Sequence, residues 1–230
     1  MTFQLTEPIL VIGLGGVGTR LAEKTKKSLN SDCLMISHDQ NDITAENSIK
    51  ISTKSVVNPS THLIRGSTLE TSDEIKKNIT NYSTIILMSN LAGKAGTGIG
   101  PIVSKICKQE QKNLLSFAVM PFKFEKERIF QSGIALKRIR QDSQCTIVVD
   151  NDALLDSNPD LTQKQCYDIS NNAIESMVHS LKSSEISDNT NILSTSKTAD
   201  DIEVSLKDSL RMLYEEAPPN SIKRSMLYVY

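Results

Sequence analysis

The feature that most constrains this chain is a pair of glycine-rich turns, each entered from a short apolar run and left into a helical pattern. The first is Gly13-Leu14-Gly15-Gly16-Val17-Gly18, between the run Ile9–Ile12 and a helical pattern from Thr19 to about Asn30. The second is Ala92-Gly93-Lys94-Ala95-Gly96-Thr97-Gly98-Ile99-Gly100-Pro101, entered from Thr84–Met88, with Pro101 suited to the first turn of a helix reaching about Gln111. Short, continuously apolar runs are what strands buried on both faces look like. Glycines after such a strand let backbone N–H groups approach phosphate, and the helix that follows adds positive potential at its N-terminus.

The spacing Gly13-x-Gly15-x-x-Gly18 is the dinucleotide fingerprint. Asp39 ends the next strand about twenty residues on, where a ribose-binding acid would stand. Alone, these residues point to an NAD(P)-binding or adenylating Rossmann enzyme. The second turn changes the balance. A dinucleotide fold needs one phosphate cradle, whereas two facing cradles suit a nucleoside triphosphate held by backbone amides. Gly93, Gly96 and Gly98 supply the second cradle, and Lys94 is either a point cation for phosphate or a solvated loop lysine. The Walker spacing GxxxxGK[ST] is absent.

Further strands are expected at Cys33–Ser37, Leu114–Val119 and Cys145–Val149. Helices are expected over about Thr71–Asn78, Glu127–Gln141 and Thr162–Ser184, and residues 40–68 read as irregular. Alternating strands and helices predict an α/β fold, a Rossmann-like, mostly parallel sheet with helices on both faces. After Ser184 the chain turns rich in Ser, Thr, Asn and Asp, then gives a helix over about Asp200–Tyr214 and a strand over about Arg224–Tyr230. This predicts a nucleotide-binding domain over 1–184, and a linker with a truncated, partial α+β second domain over 185–230.

Composition narrows the partners. With 26 basic against 27 acidic side chains, the net charge of −1 creates no field that would gather nucleic acid or an anionic membrane. Four scattered cysteines without CxxC spacing and three separated histidines read as free thiols in a reducing compartment, with no metal site. No apolar run approaches the roughly 18–20 residues of a membrane span. A cytoplasmic protein is expected.

Three further segments, in order with the first turn, carry a family resemblance. Asn90–Pro101 resembles the tubulin/FtsZ signature loop GGGTGTG. Met120-Pro121-Phe122-Lys123-Phe124-Glu125-Lys126-Glu127-Arg128 is similar to the FtsZ segment KPFxFEGxR, and Val149-Asp150-Asn151-Asp152-Ala153-Leu154-Leu155 to IPNDKLL. The resemblance covers residues 8 to about 180. It implies a guanine nucleotide, GTP or GDP, with Mg2+ as a possible companion. Gly15, Gly16 and Gly18, followed by Thr19, match the first phosphate loop, and Gly96, Thr97 and Gly98 match the signature loop. Glu125 matches a ribose contact, Tyr167 the aromatic stacked on the base, and Asn171 the amide reading the guanine edge. An amide offers both donor and acceptor to that edge.

The departures are equally specific. Arg20 replaces a nucleoside-holding asparagine, and Lys94 and Ala95 replace a glycine and a threonine. Arg128 stands one place before the expected arginine. The γ-phosphate loop is reduced to about Arg65–Thr68, with Asn58-Pro59 displaced. The acidic NxDxxD loop is missing, leaving only Glu185 and Asp188 nearby, so no catalytic residue is assigned and weak or absent hydrolysis is expected. The implied role is cytoskeletal or in cell division, by self-association or association with another FtsZ-like subunit.

Overall fold

A computed structural model describes residues 2–44, 46–54, 57–197, 201–223 and 225–227. The strands are β1 (Thr2–Phe3), β2 (Ile9–Leu14), β3 (Asp32–Ser37), β4 (Ser48–Lys50), β5 (Thr84–Asn90), β6 (Asn113–Met120), β7 (Cys145–Asp150), β8 (Ile186–Ser187) and β9 (Asn189–Ile192). The helices are α1 (Gly15–Leu29), α2 (Thr61–Glu70), α3 (Ser72–Ile79), α4 (Lys94–Gln109), α5 (Lys126–Asp142), α6 (Asn151–Ser157), α7 (Gln163–Ser180) and α8 (Ile202–Glu216). Seven strands form one parallel sheet in the order β4-β3-β2-β5-β6-β7-β9, and β1 pairs antiparallel with β8. The expected α/β architecture, with helices on both faces, is the observed one.

Because β2 and β5 are buried along their whole length, each strand feeds two cores. Ile9 and Val11 point to the layer with Leu21 of α1 and Ile174 and Met177 of α7. Leu10, Ile12 and Leu14 point to the other layer, with Ile64, Ile75, Ile99 and Val103 of α2, α3 and α4. The four cysteines are free and buried, and burial pushes the Cys33 thiol up to about 11 and Cys107 and Cys145 to about 12. No helix is long and apolar enough to cross a membrane among the described residues.

Several elements differ from the sequence reading. Residues 40–68 hold β4 and most of α2, and a short helix α6 follows β7 directly. Residues 65–68, expected as a remnant loop, lie inside α2. The helix after the second turn starts at Lys94, so Pro101 sits in its interior rather than in its first turn. An interior proline has no N–H for the carbonyl four residues back, here that of Thr97. Arg65 Nη2 donates to this freed oxygen at 3.3 Å, which explains how the helix tolerates the proline. At the other end, β8 and β9 tie residues 186–192 to β1 and to the sheet edge, so strand pairing crosses the expected boundary at 184/185. The strand expected over 224–230 falls largely outside the described residues, and 225–227 are not strand.

α1 lies so close to the sheet that side chains are excluded between them. A Cβ on Gly18 would come within 2.5 Å of the Met88 carbonyl oxygen, and one on Gly13 within 2.6 Å of the Gly18 carbonyl oxygen. By contrast Gly133, exposed in α5, would meet nothing within 4 Å. Gly18→Ala should therefore cost about 1–3 kcal/mol, the usual range for overpacking. Gly133→Ala should add about 0.5–1 kcal/mol by restricting the unfolded chain and favouring helix. Urea unfolding checks both, and equal midpoints for the two variants would contradict the packing described.

Candidate functional site

Register places the two glycine turns side by side. Leu14 pairs with Ser89, so Gly15 and Asn90 leave adjacent strands at the one boundary where the strand order reverses direction. Ligands of open α/β sheets bind at that boundary, beyond the carboxyl ends of the strands. Gly15 turns the chain with φ at +65°, a left-handed conformation that favours glycine. A Cβ there would stand 2.8 Å from the Ala95 methyl, so the two turns touch. Gly96 packs onto the preceding strand end, where a Cβ would meet the Asn90 carbonyl oxygen at 2.1 Å.

Both turns open directly into helices that lack side-chain caps. The N-cap residues are Leu14 for α1 and Gly93 for α4, neither helix has an acid in its first turn, and neither cap makes a side-chain hydrogen bond. α2, α6, α7 and α8 are capped by Ser60, Asp150, Thr162 and Asp201, while α3 and α5 lack a side-chain cap but carry acids in their first turns. Two neighbouring helix starts thus present N–H donors without side-chain acceptors, an arrangement that attracts an anion.

From the second turn, Asn90 leads toward Tyr167. Asn90, buried at the end of β5, accepts from the Ala92 N–H through Oδ1 at 2.9 Å. Burial raises the pKa of the Tyr167 phenol, and the Asn90 side chain nearby works against that rise. Tyr167 is half-buried and stands edge-on to Phe122, with ring centroids 5.6 Å apart and planes at 89°. Glu125 and Arg128 are close enough to influence the same phenol. Glu125 accepts from Arg128 Nη1 at 2.7 Å and from the Phe122 N–H at 3.2 Å.

One helical turn beyond Tyr167, Asn171 carries a buried Oδ1 without a partner. Asn151, fully buried at the start of α6, has an unpartnered Nδ2, while its Oδ1 accepts from Ser170 on α7. Asn90 and Asn151 both fall in motif segments, yet the sequence reading gives neither a role. The signal for both was their place immediately after apolar strands, at the carboxyl edge of the sheet.

Other expected site residues are placed differently. Lys94 Nζ donates to Asn58 Oδ1 at 2.6 Å and to the Pro59 carbonyl at 2.9 Å, so it ties the displaced Asn-Pro to the second turn. Thr19 donates to the Gly16 carbonyl, and Thr97 to the carbonyls of Gly93 and Lys94, so both hydroxyls serve their own helices. Gly98 faces α2, where a Cβ would meet Ile64 Cγ2 at 2.9 Å, so its missing side chain serves helix packing. Arg20 is exposed, with Nη1 3.8 Å from the Cβ position of Gly16. Asp42 Oδ1 lies 2.6 Å from that same position, and Asp42 Oδ2 accepts from Ser37 at 2.7 Å. Asp39 caps its own turn by accepting from the Asn41 N–H at 2.9 Å. No group of three or more His, Cys, Asp or Glu side chains forms a metal site among the described residues.

An open parallel sheet with two opposed glycine turns at its switch point defines a Rossmann-like α/β domain. The model of the tubulin/FtsZ family GTPase domain matches residues 8–159, and the chain belongs to this family as a divergent, FtsZ-like member. The cell division protein FtsZ 1 of Halobacterium salinarum is 25% identical over 184 residues, covering 74% of this chain and 46% of that protein. The cell division protein FtsZ of Aquifex aeolicus is 30% identical over 101 residues, 43% of this chain and 28% of that protein. Among solved structures, an FtsZ from M. jannaschii matches with a TM-score of 0.72 at 19% identity, over 88% of this chain and 71% of the other. CetZ from Methanosaeta thermophila matches with a TM-score of 0.59 at 19% identity, over 73% of this chain and 51% of the other. The structural likenesses show the fold. The chain spans less than half the length of these two curated relatives.

His38 follows β3 with its Nδ1 buried and unpartnered. Burial lowers its pKa, Asp39 and Asp42 oppose this, and Lys94 adds to it. A histidine whose folded pKa is depressed binds its proton more weakly than the unfolded chain does. Its stabilising contribution is complete above the ordinary value of about 6.5 and is lost as pH falls toward the folded value. The urea midpoint should therefore fall between pH 7.5 and 5.5, and His38→Gln should flatten part of that fall. An unchanged slope in the variant would contradict this environment for His38.

Proposed function

We propose that this chain binds a guanine nucleotide, GTP or GDP, with its phosphates between the two glycine turns and its base on Tyr167. The observation that carries the reading is the pair of helix starts without side-chain caps, side by side at the switch point. The unpartnered Asn171 Oδ1 suits guanine's N1–H and N2–H, and the unpartnered Asn151 Nδ2 suits its O6. Leaving such buried groups unpaired costs about 1–3 kcal/mol each, which a bound base would offset. Glu125 is the candidate ribose contact and Arg20 the candidate outer contact at the first turn. Mg2+ would rely largely on the nucleotide's own phosphate oxygens, as it commonly does.

The proposed role is assembly, or regulation of assembly, in a cytoskeletal or cell-division setting, with the chain itself or another FtsZ-like subunit as partner. Turnover by the chain alone should be slow. Glu185 is engaged with Thr2 and Gln4 at 2.9 and 3.2 Å. Glu185 and Asp188 flank β8, and the Asn189–Cys145 pairing places them at the opposite edge of the sheet from the glycine turns. Losing a positioned general base commonly removes about 10²–10⁴-fold of rate.

GTP and GDP should raise the melting temperature of the purified protein, and NAD and ATP should not. Tyr167→Ala should weaken GDP binding about tenfold or more in calorimetry, since base–aromatic stacking contributes about 1–3 kcal/mol. Stabilisation by NAD alone, or full GDP affinity in the variant, would overturn the reading.

A further inference from the structure

The first glycine turn carries a negative charge that the chain holds in place. Asp42 closes a single turn of 3-10 helix, Gln40–Asp42, which follows β3 and packs on α1. Its Oδ1 stands 2.6 Å from the Cβ position of Gly16, and its Oδ2 stands 3.8 Å from that of Gly15. Oδ2 accepts at 2.7 Å from the hydroxyl of Ser37, which is fully buried at the end of β3. The same hydroxyl accepts from the Asp39 N–H at 3.1 Å. Two residues beyond Asp42, Thr44 donates to Glu23 of α1 at 2.9 Å and ties down the other end of the segment. The half-buried carboxylate is thus fastened against the turn from both sides.

The cationic side chains nearby are committed elsewhere. Arg20 Nη1 lies 3.8 Å from the same Gly16 position, so Asp42 offsets its charge there. Lys94 Nζ is engaged twice, by Asn58 Oδ1 at 2.6 Å and by the Pro59 carbonyl at 2.9 Å. Burial lowers the pKa of His38, which leaves its imidazole neutral near pH 7. Among these groups only Lys94 brings a charge that Asp42 does not offset, and that ammonium is held to the Asn-Pro segment. Phosphate at the first turn would therefore meet backbone amides and one fixed anion.

We propose that Asp42 makes the site select a nucleoside diphosphate over the corresponding triphosphate. This rests on the nucleotide reading above and adds to it the number of phosphates taken. Each further phosphate brings about one more negative charge, whether or not Mg2+ accompanies the nucleotide. Beside a fixed carboxylate, one added charge at the edge of a protein should weaken binding by about tenfold. A repulsive element of this kind discriminates between ligands that share every attractive contact. Asp42 is a specificity-determining residue in this account, and the glycine turns do the binding.

Calorimetry on the full chain tests this with GDP and a non-hydrolysable GTP analogue carrying an imido β,γ bridge. GDP should bind about tenfold more tightly, with and without Mg2+. Asp42→Asn keeps an oxygen for Ser37 and removes the charge, so it should shrink the preference to about threefold or less by tightening the triphosphate. Lys94→Ala should not weaken the triphosphate selectively. Equal affinities in the wild type, an undiminished preference in Asp42→Asn, or a selective loss in Lys94→Ala would each overturn the inference. So would a preference for the triphosphate once Mg2+ is added, because the metal would then bridge Asp42 to the phosphates. If Asp42→Asn does not fold, Ser37→Ala, which frees the carboxylate, must narrow the preference instead, and an undiminished one there counts equally against it. Failure of GDP to bind at all would sink the nucleotide reading together with this preference, whereas equal binding of both nucleotides sinks the preference alone.

Discussion

Everything distinctive about this molecule depends on how closely two backbone turns approach each other at the β2–β5 boundary. Gly18 lies against the Met88 carbonyl, Gly96 against the Asn90 carbonyl, and Gly15 against the Ala95 methyl. At each of these points a Cβ would need space that another atom occupies. The glycines do not make the chain loose. They let two helices start flush with the ends of two neighbouring buried strands, so that both N-termini lie side by side at the carboxyl ends of the strands. The same closeness extends along α4, where Gly98 admits Ile64 of α2 and Gly100 lies 3.1 Å, at its Cβ position, from Ile139 of α5.

This geometry has an electrostatic consequence. A helix start without a cap leaves donors that need an acceptor, and two such starts together concentrate positive potential. Around them the chain supplies few fixed anions of its own. Asp42 stands at Gly16 but is held by Ser37, and Asp39 is turned to its own backbone. Away from the helix starts, Asn171 carries an unpaired oxygen on the helix that holds Tyr167, and Asn151 an unpaired nitrogen at the start of α6. The proposed nucleotide would meet anion-seeking amides at one end, and a ring with unpaired amide groups at the other.

Strands β2, β3, β5, β6 and β7 were legible within a residue or two, because burial on both faces leaves continuous apolar runs such as Ile9–Ile12 and Thr84–Met88. The elements that escaped have weaker signals for physical reasons. β4 is three residues at an edge, with only Ile49 buried, and α2 buries only Ile64 and Thr68 and contains Gly66. The start of α4 was hidden because Gly96, Gly98 and Gly100 read as a loop. In the fold they are helical positions where neighbours come too close for a side chain, and Pro101 is tolerated through Arg65, a partner 36 residues earlier that no local pattern reveals. For the candidate site, motif order named the glycines and Tyr167 as candidates. The tether role of Lys94, the packing role of Gly98 and the place of Asn90 near Tyr167 required coordinates, because each depends on contacts between segments distant in sequence.

The most direct measurement is a backbone amide NMR titration of the isotope-labelled protein with GDP. Amides of Gly15–Gly18 and of Lys94–Thr97 should shift together, with one common affinity, and the Tyr167 ring protons should move at the same ligand concentrations. Shifts confined to one of the two turns, or a Tyr167 ring that stays unmoved at saturation, would contradict a nucleotide clasped between both.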